Sequence, residues 1–235
     1  MTTAGEAYLK DHYSLRPEQR VASVTLWGDP SSPPLCDQYK VREEFGLPKD
    51  GPVAVFGGQI SEGRGIDDVL AVAERARSVR PDLHFLFIGT GRLESLVRKF
   101  IADDRGNVHL HPPVGRDKYL QALTACTVGL VATIADTGVP TFPSKTMDYL
   151  RAGLPIVASV EDSTDYTDFV LKYGFGVPVL ANHPDAFLAA ICGILDNSDR
   201  VSAMQVGGQK ALREEFSPNA AAKRILALTG IVSGE

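Results

Sequence analysis

The chain has 235 residues, 44% of them hydrophobic and 23% charged, the make-up of an ordinary globular protein with room for one full domain or two small ones. A formal charge of −5 excludes a general nucleic-acid or anionic-membrane binder but leaves room for a local basic site. The three cysteines, Cys36, Cys126 and Cys192, lie far apart, which fits a reducing cytoplasm and neither a disulfide framework nor a zinc site. No metal is expected: the five histidines lack ligand spacing, and His109 and His111, on one side of a predicted strand, are too few. The first residues do not read as a signal peptide, and no apolar run is long enough to span a membrane.

Residues 1–50 differ from the rest and read as a lead-in packed on a main domain. Glu6 to Arg20 is polar with helical character, Val21 to Trp27 reads as a strand, and Gly28 to Pro34 is a Pro/Ser-rich break. Cys36 to Phe45 is a short helical pattern ended by Gly46 and Pro48. From Gly51 the chain alternates. Strands are predicted at Val53–Phe56, His84–Ile88, Val108–His111, Val128–Ala132, Ile156–Ala158 and Gly176–Leu180. Helices fall between them at Ile66–Val79, Leu93–Ala102, Asp117–Thr124, from about Ser144 to Ala152, and up to Tyr173. Three more follow, at Pro184–Leu195, Arg200–Glu215 and Asn219–Leu228. Short apolar strands alternating with helices predict an α/β fold, a Rossmann-like doubly wound parallel sheet covered on both faces. Ligands of such sheets bind beyond the carboxyl ends of the strands.

The loops at those ends are unusual. The first strand runs into Gly57-Gly58-Gln59-Ile60-Ser61-Glu62-Gly63-Arg64-Gly65, whose glycines let backbone amides approach an anion and whose Arg64 can add a bidentate phosphate contact. The stretch nearly fits a P-loop, but Arg64 and Gly65 stand where Lys and Ser/Thr are needed, which argues against an NTPase. The second strand ends in Gly89-Thr90-Gly91, with Glu94 in place of a third dinucleotide glycine, which argues against a dehydrogenase. The third ends in Pro112-Pro113-Val114-Gly115, a rigid turn.

The fourth strand leads to the stretch on which the functional reading turns, Asp136 to Ser159. A polar loop over Gly138–Ser144 enters a short helix that Ser144 is placed to cap, and Gly153 and Pro155 end that helix. Lys145 sits in its first turn, where the macrodipole favours anions, so an anionic ligand docking there would give the lysine a purpose.

The run Pro143-Ser144-Lys145-Thr146-Met147-Asp148-Tyr149-Leu150-Arg151-Ala152-Gly153-Leu154-Pro155-Ile156-Val157 resembles the donor-site segment of family 4 glycosyltransferases, commonly Pro-x-Lys-x-x-Glu-Tyr-x-Ala-x-Gly-x-Pro-Val-Val. These are retaining enzymes of the GT-B fold. The resemblance covers about residues 20–230 and only the C-terminal, donor-binding half of such an enzyme. It implies a nucleotide-sugar-binding domain at 51–235, with 1–50 as the tail of an N-terminal half and linker. An excised domain, a subunit of a split enzyme and a truncated product all remain open.

The resemblance assigns roles residue by residue. The donor diphosphate would meet Gly58, Gln59, Arg64, Gly65 and Lys145. Arg64 keeps the charge of the family's lysine, whereas Gln59 replaces its arginine, a loss that Lys145 is placed to offset. Asp148 stands for the acid that bonds the ribose hydroxyls. The first acid of the Glu-x7-Glu pattern falls on Pro140 and is missing. The loop with Asp136, Gly138, Val139, Pro140, Thr141, Phe142 and Ser144 would contact sugar and phosphate, and Gly89, Gly91, Pro113 and Val114 would lie near the base. No residue reads as a general acid or base. The implied reaction is metal-independent, with a UDP- or GDP-sugar as substrate and no cofactor. A glycan or lipid-linked acceptor would bind through an N-terminal half. The implied setting is cytoplasmic, peripheral to a membrane through that half, in polysaccharide or glycoconjugate synthesis. The alternatives are a non-catalytic relative that binds a partner chain, and a sugar-nucleotide 2-epimerase, against which the lack of a His-Glu pair argues.

Overall fold

The computed structural model describes residues 3–103 and 106–229. Two lead-in helices come first, α1 (Thr3–His12) and α2 (Gln38–Glu44). The Asp37 carboxylate caps α2, accepting from the Tyr39 and Lys40 amides. The chain then runs β1 (Val53–Gly57), α3 (Ile66–Val79), β2 (His84–Ile88), α4 (Glu94–Ala102), β3 (Val108–His111), α5 (Arg116–Thr124) and β4 (Val128–Ala132). It continues with α6 (Lys145–Arg151), β5 (Ile156–Val160), α7 (Tyr166–Tyr173), β6 (Gly176–Leu180), α8 (Pro184–Leu195), α9 (Ser198–Glu214) and α10 (Pro218–Thr229).

The six strands form one parallel sheet in the order β3-β2-β1-β4-β5-β6. This is the predicted Rossmann-like α/β architecture, and its strand order reverses between β1 and β4. The pleat sends alternate residues of β1 to opposite faces. Val53 and Val55 pack against Leu120 and Leu123 of α5 and Tyr149 and Leu150 of α6. Ala54 and Phe56 pack against Val69 and Leu70 of α3 and Phe187 and Ile191 of α8. Burial on both faces explains why the strands read as nearly continuous apolar runs. Each such fully buried large side chain contributes about 1.5–3 kcal/mol relative to exposure.

The lead-in departs from the sequence reading in two ways. The first helix spans Thr3–His12 and does not reach Arg20. Val21–Trp27 is irregular and pairs with no strand. It lies against the end of α9 instead, where the Thr25 hydroxyl donates to the Glu215 carbonyl (3.0 Å) and the Gly28 amide to the Phe216 carbonyl (3.0 Å). The segment is half-buried over Val21–Thr25 and exposed at Leu26 and Trp27, as fits a stretch laid on a helix end and not one held in a ladder. Val41, Phe45 and Leu47 of the α2 region are buried in the main core. His109 bonds to His84 of the neighbouring strand (2.9 Å), and burial pulls it down to about 4. Among the described residues no three His, Cys, Asp or Glu side chains group as a metal site, and no helix is long and apolar enough to cross a membrane.

Candidate functional site

β1 and β4 pair only at Ala54 with Val128 and Val55 with Gly129, then part toward their carboxyl ends. Tyr149 of α6, fully buried, fills the parting. The Gly57 amide donates to its hydroxyl oxygen (2.9 Å), and that hydroxyl faces the Val55 carbonyl (3.1 Å) on β1 and the Leu130 carbonyl (3.3 Å) on β4. Gly129 makes room for the ring, since a Cβ there would lie 2.5 Å from Tyr149 Cδ2. The wedge holds open a crevice at the strand-order reversal and carries the first turn of α6 to its mouth.

A cavity of about 370 Å³ occupies this crevice. Gly57, Gly58, Gln59 and Arg64 line it from the first loop, Val131, Ala132 and Thr133 from the end of β4, and Pro143, Ser144, Lys145 and Asp148 from the start of α6. Six residues singled out from the sequence thus converge: Gly58, Gln59, Arg64, Ser144, Lys145 and Asp148. Tyr119 of α5 completes the wall.

Lys145 dominates the electrostatics. Its ammonium lies 3.4 Å from the centroid of the buried Phe56 ring, a cation–π contact. A Cβ on Gly58 would come within 4.0 Å of Lys145 Nζ, and Gly58 itself adopts φ +115°, which a side chain would strain. Burial first, then the charge of Arg64, pull the Lys145 ammonium down to about 7. Two cations thus converge on one small cavity. Such an arrangement accepts an anion with two or more negative charges, which would relieve the repulsion.

The first loop is less of an amide cradle than its glycines imply. The Gly58 amide donates to the Ile88 carbonyl (2.9 Å) and the Ile60 amide to the Thr90 carbonyl (3.0 Å). Gly65 caps α3 in a left-handed conformation (φ +57°) pressed on Ala132, and the helix opens with Asp67 and Asp68, which already answer its dipole. An anion in this cavity would therefore meet chiefly the Arg64 and Lys145 side chains. Ser144 does not cap α6: its own backbone is helical (φ −62°, ψ −27°), so the hydroxyl is not held in a cap's extended geometry, and it makes no cap bond.

The other residues singled out from the sequence lie around the cavity rather than on its walls. Gly89 and Gly91 give close clearance to the first loop, for Cβ atoms there would lie 1.8 Å from the Gly58 carbonyl oxygen and 2.2 Å from that of Ile60. Pro113 is exposed and Val114 half-buried, just before α5. Asp136, Gly138 and Val139 are exposed and Pro140 half-buried. Thr141 and Phe142 turn inward and anchor their loop. The Thr141 hydroxyl donates to the buried Glu161 (3.2 Å), which also accepts from Thr133. Phe142 stacks edge-on against Tyr166 and Phe169, at 5.2 and 5.5 Å between centroids.

The sequence reading did not single out Arg116. Its guanidinium holds Asp148 by both oxygens, Nη1 to Oδ2 at 2.7 Å and Nη2 to Oδ1 at 2.5 Å. The signal was available: Arg116 opens α5, and a cation at a helix N-terminus is as anomalous there as Lys145 is in α6.

The molecule is thus a doubly wound α/β domain with Arg64 and Lys145 in a cavity at its switch point, and comparison with known proteins places it. The sequence model of the group 1 glycosyl transferases matches residues 51–197, and the chain belongs to that family. A GDP-mannose-dependent monoacylated alpha-(1-6)-phosphatidylinositol monomannoside mannosyltransferase of Corynebacterium glutamicum is 24% identical over 213 residues, 85% of this chain and 51% of the relative. The chain thus spans about half the length of that curated relative. Among solved structures, a variant of S. aureus TarM in complex with Fondaparinux, alpha-GlcNAc-glycerol and UDP superposes with a TM-score of 0.76 at 13% identity, covering 97% of this chain and 42% of TarM. The C-terminal domain of a group 1 glycosyl transferase, LpcC, from Francisella tularensis superposes with a TM-score of 0.63 at 11% identity, covering 79% of this chain and 96% of that domain. The fold is that of one half of a GT-B glycosyltransferase.

Proposed function

We propose that the chain is the donor-binding half of a retaining, metal-independent glycosyltransferase that takes a nucleotide-activated sugar. The observation that carries this is the convergence of Arg64, Lys145 and Asp148 on one cavity at the sheet's switch point. A nucleoside diphosphate presents a dianionic centre for the two cations and ribose hydroxyls for the acid. In the reaction the bond from the anomeric carbon to the diphosphate oxygen breaks, and negative charge grows on the leaving diphosphate. Arg64 and Lys145, both in the cavity wall, stabilise that charge where it develops. The chain supplies no evident general base, so the acceptor and its activation belong to an N-terminal half. The mannosyltransferase relative is GDP-mannose-dependent, which makes GDP the first nucleotide to try. The relative's phosphatidylinositol monomannoside acceptor supports a lipid-linked acceptor here, and the proposal includes a cytoplasmic setting at a membrane surface.

A second reading rests on Gln59, which leaves the first loop one cation short. In it the chain is a non-catalytic subunit that keeps the fold to bind a partner chain. Calorimetric titration of the chain with GDP, UDP and ADP in EDTA separates the two. Saturable binding of one nucleotide supports the donor site, and absence of binding to all three favours the partner-binding subunit.

A further inference from the structure

Asp148 is one of the residues lining the cavity, and Arg116, which is not among them, holds it by both oxygens. The exposures agree: the Asp148 side chain is 14% exposed and that of Arg116 54%. A carboxylate offers about four acceptor directions, and a bidentate guanidinium occupies two of them. The pair therefore leaves each Asp148 oxygen with an acceptor direction to spare. It also fixes the carboxylate plane, because a planar fork permits only one alignment of a planar acid. Without it, Asp148 would be free to rotate about its side-chain bonds. Asp is a methylene shorter than the Glu common at this place, so less reach is available to correct a misaligned carboxylate. Arg116 opens α5 directly after Pro112-Pro113-Val114-Gly115, and the pair ties that turn to α6.

We propose that Arg116 is a positioning residue for ribose recognition: it orients Asp148 through the bidentate pair so that the remaining carboxylate lone pairs receive the ribose hydroxyls. This rests on the donor-site reading above. Arg116 touches the acid and not the nucleotide, so its contribution depends on the ribose hydroxyls being present.

The test is calorimetric titration of the 235-residue chain in EDTA with GDP, UDP and ADP and with their 2′,3′-dideoxy forms. Wild type is compared with Arg116→Ala, Arg116→Lys and Asp148→Ala, each checked for an unchanged melting transition. For the nucleotide that binds, Arg116→Ala weakens the ribonucleotide about tenfold or more, the scale of hydrogen bonds to a charged group. It weakens the dideoxy form far less, so the preference for ribose shrinks toward that of Asp148→Ala. Arg116→Lys recovers only part, since an ammonium cannot form the fork. Should Arg116→Ala melt early, Arg116→Gln carries the same comparison. Unchanged or tighter binding by Arg116→Ala overturns the proposal, for Arg116 would then be a clamp across the acid. Equal losses on the ribo and dideoxy forms also overturn it, since they would mean a contact with phosphate or base. A wild type that binds none of the three nucleotides overturns the donor-site reading itself, and this proposal with it.

Discussion

Lys145 gives the site a pH dependence whose size can be worked out. In the free protein its ammonium titrates at about 7, held down from 10.5 first by burial and then by Arg64. A bound diphosphate favours the charged lysine and raises that value again. Affinity is therefore greatest below pH 7 and falls as pH rises, by at most tenfold (1.36 kcal/mol) per unit. If the ligand restores the ordinary value, the loss between pH 7 and 9 is about fiftyfold, or ~2.3 kcal/mol. The last proton of the nucleotide phosphate leaves near pH 6, so the ligand's own titration is largely over before this window. The assay is calorimetric titration with GDP or UDP from pH 6 to 9 on wild type and Lys145→Met. Wild-type affinity should decline above pH 7, whereas Lys145→Met should bind more weakly and show no decline. Stability has the opposite slope. Between about 7 and 10.5 the unfolded chain holds the proton that the folded one has lost, so the wild type gains stability as pH rises. Lys145→Met should accordingly melt above wild type at low pH, with the gap closing as pH approaches 10.5. A flat wild-type affinity, or a decline of equal slope in Lys145→Met, would refute the reasoning.

Three further outcomes follow from the geometry. Arg64→Ala should weaken nucleoside diphosphate by about 1.5–3 kcal/mol, as for a charged hydrogen bond, and leave nucleoside nearly unaffected; equal losses by calorimetry would remove Arg64 from the phosphate. Tyr149→Phe leaves the buried Gly57 amide without its acceptor, which should cost about 1–3 kcal/mol and lower Tm by several degrees in a thermal melt. Gly65→Ala forces a side chain into φ +57° and 2.6 Å from the Ala132 Cβ. It should destabilise by about 2–4 kcal/mol in urea unfolding, and a change under 0.5 kcal/mol would show that the α3 entry is looser than described.

Much of this architecture was legible in the chain. Strands buried on both faces announce themselves as apolar runs, as Val128–Ala132 does, and the half-buried edge strand Gly176–Leu180 was bounded correctly because Gly174 and Asn182 turn the chain on either side of it. Val21–Trp27 misled because a run rich in apolar and β-branched residues records burial, not whether a sheet or a helix end does the burying. The convergence of Arg64, Lys145 and Asp148 could be anticipated, since each follows or opens an element at one end of the sheet. Three features could not be read so directly. The amides of Gly58 and Ile60 are taken by the next strand's loop, a pairing that only the sheet order reveals. The wedge of Tyr149 depends on Gly129 of the preceding strand standing opposite it, a helix-to-strand contact that the sequence pattern does not show. Arg116 and Asp148 belong to different helices and meet only because β4 lies beside β1.

The most direct test of the central claim is a crystal structure of the chain grown with whichever of GDP, UDP and ADP it binds most tightly. The account predicts the diphosphate between Arg64 and Lys145 and the ribose over Asp148. A nucleotide seated instead in the larger cavity of about 800 Å³ lined by α1, Phe169, Lys172 and Arg224, with the switch-point crevice empty, would contradict it.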